Sequence, residues 1–186
     1  MKIGLIAFDD FTDLDLILHW DLLNRVRLLN LHAQWEVRIL GTEAQHRSVS
    51  GLMIPTSGPI EYAEECDAVL ISSGIGTRKL LKDESFLKRL KLDPARQLIA
   101  AQCSGSLVLG QLGLLKNVKV SAYYPIKDLL AAYGAQLVNE ALVDSRPIAT
   151  ASSCLAGVSL SDWIIKLLAG EEAATKVSES VRPTGL

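Results

Sequence analysis

The stretch "QLIAAQCSGSLVLG", residues 97–110, places a thiol at the junction of two secondary-structure elements. The apolar run 97–102 predicts a buried strand, and the apolar spacing of 104–115 predicts a helix. Cys103 stands between them, and small residues follow it: Ser104, Gly105 and Ser106. A sharp strand-to-helix turn of this kind exposes the side chain at its tip above the sheet, as in a nucleophile elbow.

Two interpretations of Cys103 fit this position. In the first, Cys103 is a nucleophile, because the free N–H groups and positive dipole of the following helix favour the thiolate. In the second, it is a small buried hydrophobic residue. The elbow context favours the nucleophile. Cys66 and Cys154 are expected to be structural, with Cys154 a bystander near the predicted site.

Strand and helix patterns alternate along the rest of the chain. Strands are predicted at 2–8, 35–40, 67–72, 97–102 and 118–123, with a small hairpin at 48–58 and two strands within 135–152. Helices are predicted at 12–30, 77–92, 104–115, 125–134, 159–170 and 171–180. This alternation predicts one α/β domain over residues 1–186, with a mostly parallel sheet covered by helices on both faces.

Composition excludes several classes of function. The chain has 186 residues, a formal net charge of −2 and scattered basic residues, so we expect no nucleic-acid binding. No apolar run approaches the length of a membrane span, so we expect no membrane insertion. Asp9 and Asp10 interrupt the N-terminal apolar run, which is unlike a signal peptide. Three cysteines without metal-like spacing predict a reducing, cytoplasmic setting and no metal site.

Polar and small residues follow several of the predicted strands. In open α/β sheets, ligands bind outside the carboxyl ends of the strands. The segments that fall there are 9–15, 72–76, 103–105, 123–125 and 152–153. If the sheet is parallel, they share one edge. The sequence therefore predicts a site with a thiol, a carboxylate, glycine-flanked amides and a tyrosine.

Asp15 has two possible roles. It is the fourth residue of a capping box, "TDLD", in which Thr12 would be the N-cap, and local sequence alone favours this role. It could also be the acid/base partner of Cys103, and both roles hold if the helix start points into the site. His19 lies one helical turn later, but a lone helical histidine is more often packed than catalytic. No histidine follows Cys103, so the spacing requires no Cys–His pair.

The segments "LIAAQCSGSLVLGQLGLL", "LIAFDDFTDLDLILHWDLL" and "AVLISSGIG" together resemble the ThiJ/PfpI superfamily, which includes the parkinsonism-associated protein. The resemblance covers essentially the whole chain and is greatest to isocyanide hydratases. It implies a flavodoxin-like three-layer sandwich that forms a homodimer. It also implies that Cys103 is the nucleophile, that Asp15 is its acidic partner, and that Gly74 and Ser104 supply backbone donors.

Four positions depart from the pattern of the superfamily. Ser73 lies where the superfamily usually has one glycine of a pair, and His19 lies in a segment where the superfamily usually has glycine–proline. Tyr123 lies near the histidine of some members, and Ser153 lies in a late glycine run of the hydratases. We expect these four side chains to line the pocket and to alter its substrate range.

Three hypotheses of function follow from the resemblance. The first is a hydratase that converts an isocyanide, a small electrophilic substrate, to an N-substituted formamide through a thioimidate on Cys103, with no cofactor or metal. The second is a redox or small-ligand sensor that uses the same reactive thiol. A regulatory binding module is a third, because similar domains occur fused to transcription-factor helices, but we expect no such helices here.

Overall fold

A seven-stranded sheet is the centre of the computed structural model, which describes residues 1–183. The strands along the chain are β1 (Lys2–Ile6), β2 (Glu36–Gly41), β3 (Gln45–Arg47), β4 (Met53–Pro55), β5 (Gly58–Pro59), β6 (Ala68–Ile71), β7 (Leu98–Gln102), β8 (Lys119–Val120), β9 (Gln136–Leu137), β10 (Leu142–Ser145) and β11 (Ile148–Ala151). The spatial order in the main sheet is β10-β11-β7-β6-β1-β2-β5. Only the β10–β11 pair among these is antiparallel.

Helices cover the sheet. They are α1 (Asp13–Leu28), α2 (Thr77–Leu80), α3 (Glu84–Arg89), α4 (Ser106–Gln111), α5 (Lys127–Ala132), α6 (Gly157–Ala169) and α7 (Glu171–Val181). The helices α1, α6 and α7 pack against one another, and α4 packs against α2 and α5. The central strands read as continuous apolar runs because helices bury both of their faces. The predicted α/β sandwich with a mostly parallel sheet is confirmed. No helix within residues 1–183 is long and apolar enough to cross a lipid bilayer.

The strand order reverses between β1 and β6. After β1 the chain builds β2 and β5 on one side, and it then returns to build β6, β7 and β11 on the other. The loops after β1 and β6 therefore diverge and leave a crevice at the carboxyl end of the sheet, where α/β proteins bind ligands. The residues after β7 and β11 meet the same edge, because these strands are parallel to β6.

Several predicted elements differ from those in the structure. The helix predicted at 77–92 is divided into α2 and α3, because the Asp83 carboxylate accepts a 2.9 Å hydrogen bond from the Phe86 N–H and starts a new helix. The strand predicted at 118–123 shortens to β8, which pairs with β9 outside the main sheet. The hairpin predicted at 48–58 is the β3–β4 pair, which begins three residues earlier.

The turn from β7 into α4 is pressed against the end of β6. Residues Cys103–Gly105 form a single 3₁₀ turn before α4 begins at Ser106. A Cβ atom on Gly105 would lie 2.5 Å from the Ser72 carbonyl oxygen and 2.6 Å from that of Ile71. These are backbone atoms of a buried strand end and cannot move aside, so the elbow requires glycine at this position.

We expect Gly105→Ala to lower the free energy of unfolding by about 1–3 kcal/mol, through overpacking against the β6 backbone. Gly157→Ala is the matched control, because Gly157 begins α6 after the neighbouring strand β11. The atoms nearest to its added Cβ would belong to side chains, of His19 at 3.1 Å and of Leu18 at 3.2 Å. Urea unfolding of both variants measures the difference. Equal losses of stability would contradict the close approach at Gly105.

Candidate active site

Cys103 lies at the tip of the elbow in a strained backbone conformation. Its φ angle is 50°, in the left-handed region that non-glycine residues seldom adopt. Such conformations cost on the order of 1–3 kcal/mol and persist where the surrounding structure imposes them. The flanking residues Gln102 and Ser104 are buried, while Cys103 is half-buried. The strain therefore serves to present the thiol at the edge of the sheet.

A cavity of about 320 Å³ lies over this thiol. Its wall contains seven of the eight residues predicted for the site: Asp15, Ser73, Gly74, Cys103, Ser104, Tyr123 and Ser153. They come from the ends of β1, β6, β7, β8 and β11, at the edge that the parallel sheet creates. Sequence reasoning did not select four further residues of the wall: Thr12, Ile75, Arg78 and Cys154.

Asp15 does not form the capping box that its local sequence suggests. α1 begins at Asp13 with Thr12 as the N-cap, but the Thr12 side chain makes no cap hydrogen bond. The Thr12 N–H, which the box would pair with Asp15, donates instead to the Ser73 carbonyl at 2.7 Å. The Asp15 carboxylate accepts a hydrogen bond from the Ser73 hydroxyl through Oδ2. Its side chain therefore belongs to the cavity and not to the helix cap.

The Asp15 carboxylate is almost fully buried, with 1% of the residue exposed. Its second oxygen, Oδ1, receives no N–H or O–H hydrogen bond from residues 1–183. Burying a carboxylate is costly unless hydrogen-bond donors compensate for the loss of water. Besides the Ser73 hydroxyl, the Cys154 thiol interacts with this carboxylate.

Ser73 links Asp15 to the thiol. Besides donating to Asp15, the Ser73 hydroxyl lies within hydrogen-bonding reach of the Cys103 sulfur, where it lowers the pKa of the thiol. A hydroxyl carries one proton and accepts through its lone pairs. Beside the neutral thiol it donates to Asp15 and can accept from the Cys103 S–H; once the thiol ionises, it can donate to the sulfur instead, and that arrangement lowers the thiol pKa. The three side chains thus form a hydrogen-bonded chain that runs from thiol to hydroxyl to carboxylate.

The pKa of Cys103 is raised, which makes the predicted preference for the thiolate wrong for the resting site. Burial is the largest cause, and the charge of Asp15 adds to it. Hydrogen bonds from Ser73 and from the Ser104 N–H oppose the rise but do not cancel it. The helix behind the elbow, α4, spans only Ser106–Gln111, so its dipole is short. The thiolate therefore forms here when a neighbouring group accepts the thiol proton.

The two predicted backbone donors, Ser104 and Gly74, have different hydrogen-bond partners. The Ser104 N–H donates to the Cys103 sulfur. The Gly74 N–H points at the Ser104 hydroxyl oxygen, 3.3 Å away. A Cβ atom on Gly74 would lie 2.2 Å from the Asp10 carbonyl oxygen, and its φ of 154° also favours glycine. Gly74 therefore lets the loop after β6 lie against the loop after β1, which brings Ser73 to Asp15.

His19 does not line the cavity, which corrects its predicted place in the pocket wall. Its side chain is fully buried between α1 and α6, where Nδ1 lies 2.7 Å from the Ser161 hydroxyl. Burial lowers the pKa of His19 to about 4. An imidazole in this setting is neutral near pH 7 and serves packing. His19 lies one helical turn after Asp15, but its side chain points into the contact between α1 and α6 and not into the cavity.

Cys154 is the chemically significant residue of the wall that sequence reasoning set aside as a bystander. It begins a 3₁₀ turn, Cys154–Ala156, directly before α6, as Cys103 does before α4. Burial, the interaction with the Asp15 carboxylate and the proximity of Cys103 raise its pKa to about 12. Its place between a predicted strand and a predicted helix, like that of Cys103, was the sequence signal that could have revealed it. Among residues 1–183, no three His, Cys, Asp or Glu side chains lie close enough to hold a metal ion.

The profile of the DJ-1/PfpI family matches residues 1–167. The chain belongs to the DJ-1/PfpI family. The predicted ThiJ/PfpI resemblance is thus confirmed. A curated relative, the isonitrile hydratase of Pseudomonas putida, is 26% identical over 178 residues, which cover 95% of this chain and 76% of the relative.

Solved structures share the fold of this DJ-1/PfpI chain. A ThiJ/PfpI family protein from Pseudomonas syringae superposes with a TM-score of 0.83 at 22% identity, over 100% of this chain and 77% of the other. The DJ-1 protein of Schizosaccharomyces pombe gives a TM-score of 0.83 at 14% identity, over 98% and 100% of the two chains. These likenesses confirm the predicted flavodoxin-like sandwich of the family.

We expect iodoacetamide to label Cys103 before Cys66 and Cys154. The pKa of Cys66 and that of Cys154 are both raised to about 12, and burial is the largest cause of the rise in each thiol. Cys103 is half-buried, and the hydrogen bonds from Ser73 and Ser104 favour its thiolate. Peptide mapping by mass spectrometry gives the order of labelling. Earlier labelling of Cys66 or Cys154 would contradict the elbow assignment.

The labelling rate of Cys103 should rise with pH above neutrality, and Asp15→Asn should shift this profile to lower pH. The variant removes the negative charge that raises the pKa of the thiol. Asp21→Asn is the control, because Asp21 is an exposed carboxylate on the same helix, paired with Arg25. A profile unchanged by Asp15→Asn, or shifted as much by Asp21→Asn, would show that the carboxylate does not act on the thiol.

Proposed function

We propose that this member of the DJ-1/PfpI family hydrates an isocyanide to an N-substituted formamide, with Cys103 as the nucleophile and Asp15 as the carrier of protons. The observation that carries the proposal is the hydrogen-bonded chain from Cys103 through Ser73 to the buried Asp15 carboxylate. The similarity to an isonitrile hydratase supports the choice of substrate class. The carbon of an isocyanide is a small electrophile that fits the cavity above the elbow.

The first stage forms a covalent thioimidate. The Cys103 thiol proton moves to the Ser73 oxygen while the Ser73 proton moves to Asp15, which leaves a thiolate beside a neutral carboxylic acid. This transfer removes the carboxylate charge that raises the thiol pKa. The thiolate attacks the terminal carbon of R–N≡C and forms the S–C bond. The electron pair left on that carbon then takes the proton held by Asp15, giving R–N=CH–S–Cys103.

The second stage adds water. Asp15, again a carboxylate, removes a proton from water as the oxygen bonds to the same carbon, and the C=N electrons move to nitrogen, which receives that proton. The resulting adduct collapses: the C–S bond breaks, its electrons return to sulfur, and the hydroxyl proton passes to Cys103. The product is R–NH–CHO, and the thiol is restored. The Ser104 N–H, which donates to the sulfur, stabilises the thiolate at both stages.

The walls of the site leave room for the substituent R. A second cavity, of about 740 Å³, shares Tyr123 and Ser153 with the cavity over Cys103. Its other lining includes the aromatic ring of Tyr124 and the apolar side chains Leu137 and Val138. We propose that R extends past Tyr123 into this space, so that alkyl or aryl isocyanides of moderate size are substrates.

Formamide production from a panel of alkyl and aryl isocyanides tests the proposal, with wild type, Cys103→Ser and Asp15→Asn compared by product chromatography. We expect no turnover with Cys103→Ser, and a loss of roughly two to four orders of magnitude with Asp15→Asn. Asp21→Asn controls for the change of charge on α1. Turnover by Cys103→Ser, or none by wild type with any isocyanide, would refute the proposal. Near-normal turnover by Asp15→Asn would remove Asp15 as the proton carrier.

Ser73→Ala should lower turnover by roughly 100-fold, because it breaks the path of the proton from the thiol to the carboxylate. It should also move the pH profile of turnover upwards, since the Ser73 hydrogen bond lowers the pKa of Cys103. Ser72→Ala is the matched control, because its hydroxyl is buried one residue earlier and donates to the Ile6 carbonyl, away from the cavity. Equal effects of the two substitutions would mean that Ser73 acts only through stability.

A further inference from the structure

Two of the three cysteines begin 3₁₀ turns that follow neighbouring strands. β7 ends in a 3₁₀ turn that starts at Cys103, and β11 is followed by a 3₁₀ turn that starts at Cys154. β7 and β11 are adjacent and parallel, with Gln102 opposite Ala151. Cys103 directly follows Gln102, and Cys154 lies three residues beyond Ala151. The two turns therefore lie side by side at one edge of the sheet, where both cysteines line the same cavity.

A side-chain hydrogen bond fixes the two turns to each other. The Gln102 amide, one residue before Cys103, donates from Nε2 to the carbonyl of Ser153, one residue before Cys154. Both cysteines are free thiols, and both line the same cavity. The third cysteine, Cys66, is buried at the far end of β6 and takes no part.

The buried carboxylate of Asp15 lies beside both thiols. It acts on the titration of Cys103 and of Cys154, and one of its oxygens has no N–H or O–H donor among residues 1–183. A base in this position can take the proton of one thiol while the other sulfur reacts. The hydratase chemistry proposed above uses one thiol and leaves Cys154 without a role.

We propose that Cys103 and Cys154 form a peroxide-sensitive dithiol, in which Cys154 resolves the oxidised nucleophile into an intramolecular disulfide. The Cys103 thiol gives its proton to Asp15, and the thiolate attacks a hydroperoxide ROOH, so that an S–O bond forms and the O–O bond breaks. The sulfur is oxidised to the sulfenic acid Cys103–SOH, and the departing alkoxide takes up the proton from Asp15 and leaves as ROH. Cys154 then gives its proton to Asp15, and its sulfur displaces hydroxide from Cys103–SOH. The hydroxide takes up that proton and leaves as water.

Cys103 is the thiol that meets the oxidant, and Cys154 is the one that resolves it. Hydrogen bonds from Ser73 and Ser104 favour the Cys103 thiolate, whereas the pKa of Cys154 is raised to about 12. The disulfide consumes the nucleophile, so oxidation switches the site off, and a dithiol reductant restores it. It also protects Cys103 from further oxidation to the sulfinic acid, which thiols do not reverse.

Hydrogen peroxide treatment of the reduced protein, followed by iodoacetamide and non-reducing peptide mapping, tests this inference. We expect the intact mass to fall by two hydrogen atoms, a linked pair of peptides that contain Cys103 and Cys154, and no labelling of either until dithiothreitol is added. Cys154→Ser and Cys154→Ala should instead accumulate sulfenic and then sulfinic acid on Cys103. Cys66→Ala should behave as wild type.

Each outcome decides the question, and none depends on isocyanide turnover. Circular dichroism of the two Cys154 variants establishes that they are folded. Wild type that forms sulfinic acid on Cys103 while Cys154 remains open to iodoacetamide would overturn the proposal. So would a disulfide between two chains or one that contains Cys66. A protein that hydrates none of the isocyanides would still form the disulfide if this inference is right.

Discussion

The buried carboxylate of Asp15 is the constraint around which the site is arranged. Removing a charge from water costs several kcal/mol unless donors or an opposite charge compensate. The Ser73 hydroxyl is the donor that the fold supplies, and Gly74 allows the close approach of loops that delivers it. The same approach joins the Thr12 N–H to the Ser73 carbonyl and so sets where α1 begins. One interaction thus fixes the first helix, the loop after β6 and the environment of the thiol.

Much of this arrangement follows from the sequence because it depends on local patterns. The apolar runs of β1, β6 and β7 are buried on both faces, which gives them a signal that does not depend on their neighbours. The elbow at Cys103 follows from the small residues after it, and Gly105 is required by the backbone of β6. Parallel strands then bring the residues after each strand to one edge of the sheet. Most of the cavity wall therefore follows from the predicted parallel topology.

The remainder depends on partners that are distant in the sequence. The pattern "TDLD" has the spacing of a capping box, yet the partner of Asp15 is Ser73, 58 positions along the chain. His19 was expected in the pocket wall, but Ser161 holds it between two helices, a contact that spacing on α1 cannot reveal. The thiol pKa was expected to fall because of the helix behind it. Burial and the nearby carboxylate raise it instead, and neither is visible without the fold.

The imidazole buried between α1 and α6 couples the stability of the protein to acid. An unfolded chain protonates His19 near pH 6.5, whereas the folded state keeps it neutral until about pH 4. As the pH falls through that interval, proton uptake favours the unfolded chain, by up to roughly 3 kcal/mol at the lower end. Above pH 6.5 this residue imposes no such penalty. Acidification would therefore loosen the contact that anchors the helix bearing Asp15, and part of the acid sensitivity of the fold would come from a side chain outside the chemistry.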